Sequence, residues 1–457
     1  MTPPAFPQEI YDLIVEHIGN NRQALTTCAI AHRDFTQSCH RRLFQSICLQ
    51  IPNGRLHQIQ PSNPRQGTRR YCEQRCDTLK DIFLRNPSIM QHVRRVKVLQ
   101  ICAKSFGDFP SMPVARAVSG LLNQLGSLDS PKLQSLQLAS PRRTCLRWED
   151  IPIPVQLAVF GLRHCTTLIE LELRNIQGVP IFILESWTRL KSFSLYHSSL
   201  IERTQSENEN GSNTSTPDNP NPQSMDDALL EDSPNLLQLT LHKSSLEFSR
   251  IYSGGYLKVS FKGLQRLQLS ISALHATALP LTHLIDGTAS TLRYLNLRFE
   301  STGLHFYDWA INLSNFPCLQ DLMISIFLDP ICSALQSPKN DDLLVIGSEN
   351  PVQLKNFCLK LCWRTVGQDT GIMEHCRELT AGFYKLNRLF TASAFPQLTN
   401  FRIELEARRK SGHQDPVNGW YLESTLIAAS DYVQTVFPNV SGLSGFAVVS
   451  KGTPSSV

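Results

Sequence analysis

Leu292-Arg293-Tyr294-Leu295-Asn296-Leu297 is the stretch that decides the fold. Leu295 and Leu297 are two residues apart, so on an extended chain they share one face, while Asn296 points to the other. Leu292 adds a third apolar anchor ahead of them. The same Leu-x-x-Leu-x-Leu hexad, with Val, Ile or Phe as substitutes, occurs ten times between Val93-Val96-Val98 and Leu398-Phe401-Ile403. The starts at Leu236, Leu264, Leu292 and Leu319 lie 28, 28 and 27 residues apart, and the longest gap, from Leu190 to Leu236, is 46. Pro-x-Leu or a near variant leads several copies, as in Pro131-Lys132-Leu133 and Pro396-Gln397-Leu398.

One such strand cannot bury its inner face alone, but stacked copies make a continuous core. The expected fold class is α/β: an irregular leucine-rich-repeat solenoid over residues 93–457, with a parallel sheet on the concave side and helices or turns on the convex side. A doubly wound α/β domain with similar strands is the alternative. The polar residues between paired leucines would face outward on the sheet. Glu172, Ser194, Thr240, Gln268, Asn296 and Arg402 are therefore the candidate target-binding residues. They show no dominant charge that names a ligand.

Outside the hexads the pattern changes. Leu422–Val436 has helical spacing, and Phe446-Ala447-Val448 suggests one final strand that caps the exposed end of the core. Residues 52–92 read as a helical linker and N-terminal cap, with a helix over Cys72–Arg85 stopped at Asn86-Pro87. Glu202–Asp232 is dominated by Asn, Ser, Thr, Pro, Gln, Glu and Asp, too polar to offset its ordering entropy by burial. It is expected to be a disordered insertion.

Residues 1–51 form a different kind of segment. Pro7 suits the first turn of a helix, and Glu9 favours the positive end of its dipole. Phe6, Ile10, Leu13, Ile14 and Ile18 then fall on one stripe, and Gly19-Asn20-Asn21 supplies the stop. Second and third helices are expected over Ala24–Ala31, with Leu25 and Cys28 inward, and over Asp34–Leu43. Ile47, Leu49 and Ile51 alternate like a half-buried strand. Three short helices in about 45 residues are marginal on their own. Their apolar face is completed either by the larger domain behind them or by another protein.

The segment resembles an F-box, and closely the F-boxes of mushroom-type fungal proteins. That family opens with Leu-Pro-x-Glu-Leu, reaches Val-Cys-Arg-x-Trp and ends near Arg-Arg-x-Leu-Phe. Phe6, Pro7, Glu9 and Ile10 match the opening, Ala31 to Phe35 the middle, and Arg41, Arg42, Leu43 and Phe44 the close. The departures are Phe6 for Leu, Ala31 for Val, His32 for Cys and Phe35 for Trp. The resemblance implies docking on the Skp adaptor of an SCF-type cullin–RING ubiquitin ligase, and through it on a cullin. The implied adaptor-binding residues are Phe6, Pro7, Ile10, Ile14, Ile18, Leu25 and Phe35.

Composition narrows the remaining classes. The 457 residues are 41% hydrophobic, enough to fill a large core, and no apolar run is long enough for a membrane span. Met1-Thr2-Pro3-Pro4 lacks a charged n-region and an apolar h-region, so no secretory signal is expected. The 13 cysteines are odd in number and scattered through apolar patterns, as expected of buried thiols in a cytoplasmic or nuclear protein. The net charge of +5 is dispersed rather than striped, so no nucleic-acid partner is expected. Nucleophile-elbow, zincin, phosphate-loop and dinucleotide motifs are absent. Cys358, Cys362, His375 and Cys376 match no common zinc spacing. The chain thus reads as a non-catalytic adaptor without cofactor. One reading makes it the substrate-recognition subunit of the ligase, holding a target protein on the repeats. The other makes it an interaction scaffold whose first helices are only a cap.

Overall fold

The computed structural model describes residues 7–50, 64–99, 112–126, 132–141, 145–201, 234–244, 248, 251, 259–272, 279–300, 311–328, 344–345, 352–365, 372–391, 394–409, 417–438, 440–441, 443 and 445–453. Phe6, Ile51 and the Glu202–Asp232 insertion lie outside the described residues. The chain forms two compact units, Met1–Asn235 and Leu236–Val457.

All ten hexads become strands. In the first unit β1 (Ser46–Gln50), β2 (Arg95–Leu99), β3 (Ser135–Ala139), β4 (Glu170–Arg174) and β5 (Ser192–Tyr196) form a parallel sheet. In the second unit the parallel strands are β6 (Gln238–His242), β7 (Arg266–Ser272), β8 (Tyr294–Glu300), β9 (Asp321–Leu328), β10 (Asn356–Thr365), β11 (Asn400–Arg409) and β12 (Gly445–Thr453). Within each unit neighbouring strands follow chain order. A doubly wound sheet would reverse that order at a switch point, and neither unit does so. The expectation of an α/β fold built on parallel strands therefore holds.

The hexad explains both the packing and the pairing. Its three apolar residues are no more than 7% exposed in any of the ten copies. Burying such side chains is worth roughly 1.5–3 kcal/mol each before conformational entropy is subtracted. The two residues between the first pair of leucines do a separate job. The N–H groups of Arg293 and Tyr294 both donate to the Gln265 carbonyl at 2.9 Å. Gln320 and Asp321 likewise donate to Arg293 O, and Lys355 and Asn356 to Gln320 O. These hooks between a strand and its predecessor are backbone bonds, so they do not depend on which side chains occupy the two positions. Where Phe replaces Leu, rings pack against one another: Phe357 and Phe401 centroids are 5.0 Å apart, Phe401 and Phe446 6.0 Å.

The last strand arrives as expected, and the helix before it runs over Val417–Thr435, packed against β11 and β12. A side-chain ladder marks the strand starts: Asn356 donates to Asp321, and Asn400 donates to Asn356 Oδ1 at 2.6 Å. The next rung is Gly445, paired with Asn400 in register. A Cβ there would collide with Asn400 Oδ1 and the Thr399 carbonyl. Gly445→Ala is accordingly expected to push β12 off β11 and cost about 1–3 kcal/mol in a urea melt. An unchanged midpoint would show that the end strand yields freely.

Candidate docking surfaces

The first helix, α1, spans Gln8–Ile18, with Pro7 at its N-cap rather than inside the first turn. Glu9 lies in that turn, and Gly19 ends the helix at φ 66°, in the left-handed region that glycine adopts at little cost. Helix α2 covers Arg22–Ala31, its Asn21 cap accepting from the Ala24 N–H at 3.2 Å, and α3 covers Arg33–Phe44. Val15, Leu25 and Cys39 form a small core with Ile18, Cys28, Ala29, Phe35 and Leu43 against it. The Tyr11 ring meets Phe35 edge-on at 4.8 Å, and its hydroxyl donates to Asp34 at 3.1 Å. Asp12 accepts from Ser38 and faces Arg41 at 3.4 Å, so α1 is tied to α3 by polar groups as well. The Ser38 hydroxyl, outweighing the burial that works against it, holds the Asp12 carboxyl below the usual carboxylate range.

This arrangement divides the expected stripe. Tyr11, Val15 and Ile18 turn inward, while Ile10, Leu13 and Ile14 stay 40%, 61% and 42% exposed. Three large apolar side chains thus lie together on the outer side of one helix, where a lone protein gains nothing from them. Leu25 requires a correction. It is 1% exposed, in the core of its own chain, and has no surface left to offer an adaptor. Phe35 and Ile18 are half-buried against that same core.

The candidate target-binding residues fall into two rows. Glu172 and Ser194 are paired across β4 and β5. Thr240, Gln268 and Asn296 are paired across β6, β7 and β8, and the row continues through Met323 and Cys358 to Arg402. Glu172 accepts from Gln137 Nε2 at 2.7 Å and pairs with Arg174, whose guanidinium lies 4.4 Å over the Tyr196 ring. Thr240 is the second correction: at 5% exposure it belongs to the row but not to its accessible part.

The hexad missed a charged cluster beyond its third residue. On β10 and β11, Lys360 Nζ lies 2.5 Å from Glu406 and 3.5 Å from Glu404, and Arg402 lies 2.9 Å from Glu404. Both glutamates are buried. Burial works against the Lys360 charge, but Glu406 and its neighbours outweigh it and raise the pKa above its usual value. The signal was available in Ile403-Glu404-Leu405-Glu406-Ala407, whose alternation continues past the hexad.

Among the described residues no three His, Cys, Asp or Glu side chains gather as metal ligands. No helix among them is long and apolar enough to cross a membrane. Cys358 and Cys362 sit on β10, and His375 and Cys376 on the helix Ile372–Glu378. Burial pushes the Cys165 thiol up to about 11 and Cys376 up to about 12, whereas Cys145 is exposed. The thiolate is the reactive form, so at pH 8 those two buried groups hold on the order of one part in a thousand or less of it. A brief iodoacetamide pulse on the native protein is expected to label Cys145 before Cys165 and Cys376. Early alkylation of Cys376, read by peptide mass spectrometry, would contradict the packing around it.

Comparisons with protein-family models, curated proteins and solved structures found no match.

Proposed function

We propose that this chain is a substrate-recognition subunit of an SCF-type cullin–RING ubiquitin ligase, with α1–α3 docking the Skp adaptor and the strand-bearing remainder holding a target protein. The observation that carries the reading is the unpartnered Ile10, Leu13 and Ile14 face on a helix whose opposite side is already satisfied at home. A scaffold whose first helices were only a cap would turn that face onto its own chain. The likeness of Phe6–Phe44 to an F-box names the partner that would cover it.

The remainder is read as a leucine-rich-repeat-like solenoid. Its support is the chain-order stacking of one repeated hexad in each unit. On this reading the accessible rows through Glu172 and Ser194, and through Gln268, Asn296 and Arg402, are where a target is gripped. The chain performs no chemistry. It raises the effective concentration of target lysines near a recruited conjugating enzyme, in the cytoplasm or nucleus where such ligases work. Co-expression with the Skp adaptor and affinity purification tests the assignment: a stoichiometric complex is expected, and its absence at micromolar concentrations would leave the scaffold reading in place.

A further inference from the structure

A groove of about 480 Å³ lies in the first unit between α2, α3, β1 and the long helix α4 (Pro64–Arg85). No residue of α1 lines it, so it is separate from the isoleucine face. Leu43, Phe44, Ile47 and Leu79 supply apolar walls, while Arg22 from α2 and Arg75 from α4 add two guanidiniums. Among the described residues no Asp or Glu lines the groove and neither arginine has an ion-pair partner. His40, the other titratable group among the described lining residues, is kept below its ordinary pKa by burial and adds no charge at neutral pH.

We infer that this groove is a second docking site, for an acidic segment of a partner protein whose apolar side chains enter between α3 and α4 while its carboxylates meet Arg22 and Arg75. The chemistry follows from the lining. Guanidinium is weakly hydrated and pairs with carboxylates through a planar fork, so it suits anion recognition at an apolar surface. The arginines stand on two different elements, α2 and α4, and both line the groove. A peptide carrying several carboxylates engages both. The volume lies within the roughly 300–1,000 Å³ of ordinary ligand sites, enough for a few side chains rather than a whole domain.

The test is fluorescence anisotropy on the full chain with a labelled synthetic peptide of alternating Glu and Leu pairs, beside its Lys-for-Glu counterpart. The acidic peptide is expected to bind and the basic one not. Arg22→Glu with Arg75→Glu is expected to weaken binding by about tenfold or more, and raising salt from 0.1 to 1 M to weaken it in the unaltered chain. The Ile10→Asp, Ile14→Asp variant is expected to bind as the parent does, which keeps this site distinct from the adaptor assignment. Equal binding of both peptides, indifference to salt and charge reversal, or loss in the α1 variant would overturn the inference. Displacement of the peptide by equimolar decanoate would also overturn it, in favour of an anionic amphiphile.

Discussion

Ile10→Asp combined with Ile14→Asp is expected to abolish adaptor capture while leaving the melting temperature of the chain within about 2 °C. Each isoleucine, once covered by a partner, contributes roughly 1.5–3 kcal/mol, and an aspartate in its place must also be desolvated. Together these remove at least a hundredfold in affinity by about 1.4 kcal/mol per decade. The free chain does not feel the change, because both side chains are two-fifths exposed and the home core rests on Val15, Leu25 and Cys39. Pull-down and calorimetry on the same preparation separate the outcomes. A variant that loses both binding and stability would show the isoleucines to be part of the protein's own core, and one that keeps adaptor binding would remove α1 as the docking face.

The second large effect is expected in the second unit. Lys360→Met leaves Glu406, 4% exposed, without the ammonium that lies 2.5 Å away. Glu404 keeps Arg402 at 2.9 Å but loses Lys360 at 3.5 Å. Removing one member of a buried ion pair costs about 3–5 kcal/mol, and the Cys362 thiol, 3.7 Å from Glu406, is too weak a donor to replace the ammonium. The pH dependence has a defined sign. In the parent, the Lys360 pKa lies above its ordinary 10.5, so its contribution is complete at neutral pH and is lost only on strongly alkaline titration. In the variant the penalty falls on the charged form of the buried Glu406 carboxylate, so it is present at pH 8 and eases as acid protonates that group. The gap between the urea midpoints of parent and variant should therefore narrow as the pH is lowered from 8. A constant gap would show that lost packing of the lysine stem, not charge, sets the cost.

Most of the fold was legible because a single residue pattern carries two independent instructions. In Leu292–Leu297 the alternation fixes which side chains face the core, and the spacing to Leu264 and Leu319 fixes where the next copies begin. The stop at Gly19 was equally readable, since the geometry it imposes is local, whereas Asn21, read as part of that stop, caps the start of α2. The site was only partly readable. A helical stripe shows that Ile10, Ile14 and Ile18 share a side, but not how wide a wedge the neighbouring helices take. Tyr11 and Val15, on the flank of that stripe, form the buried contact instead. Leu25 was read as inward on α2 and, from the likeness of sequence, also as an adaptor contact; packed with Val15 and Cys39 it serves only the first role.

Thr240 and the Lys360 cluster show the same limit on the strands. Alternation tells which side of a strand a residue occupies, whereas accessibility on that side depends on what else lies over it. By itself, the sequence determined that this chain would stack parallel strands in order behind a short helical segment with an apolar face. Only the tertiary structure decided which of those apolar residues are spent at home, which polar residues remain accessible, and that Arg22 and Arg75 would come to flank one groove. The reason is physical: propensity, capping and alternation act over a few residues, but burial and electrostatics depend on atoms brought together from distant parts of the chain.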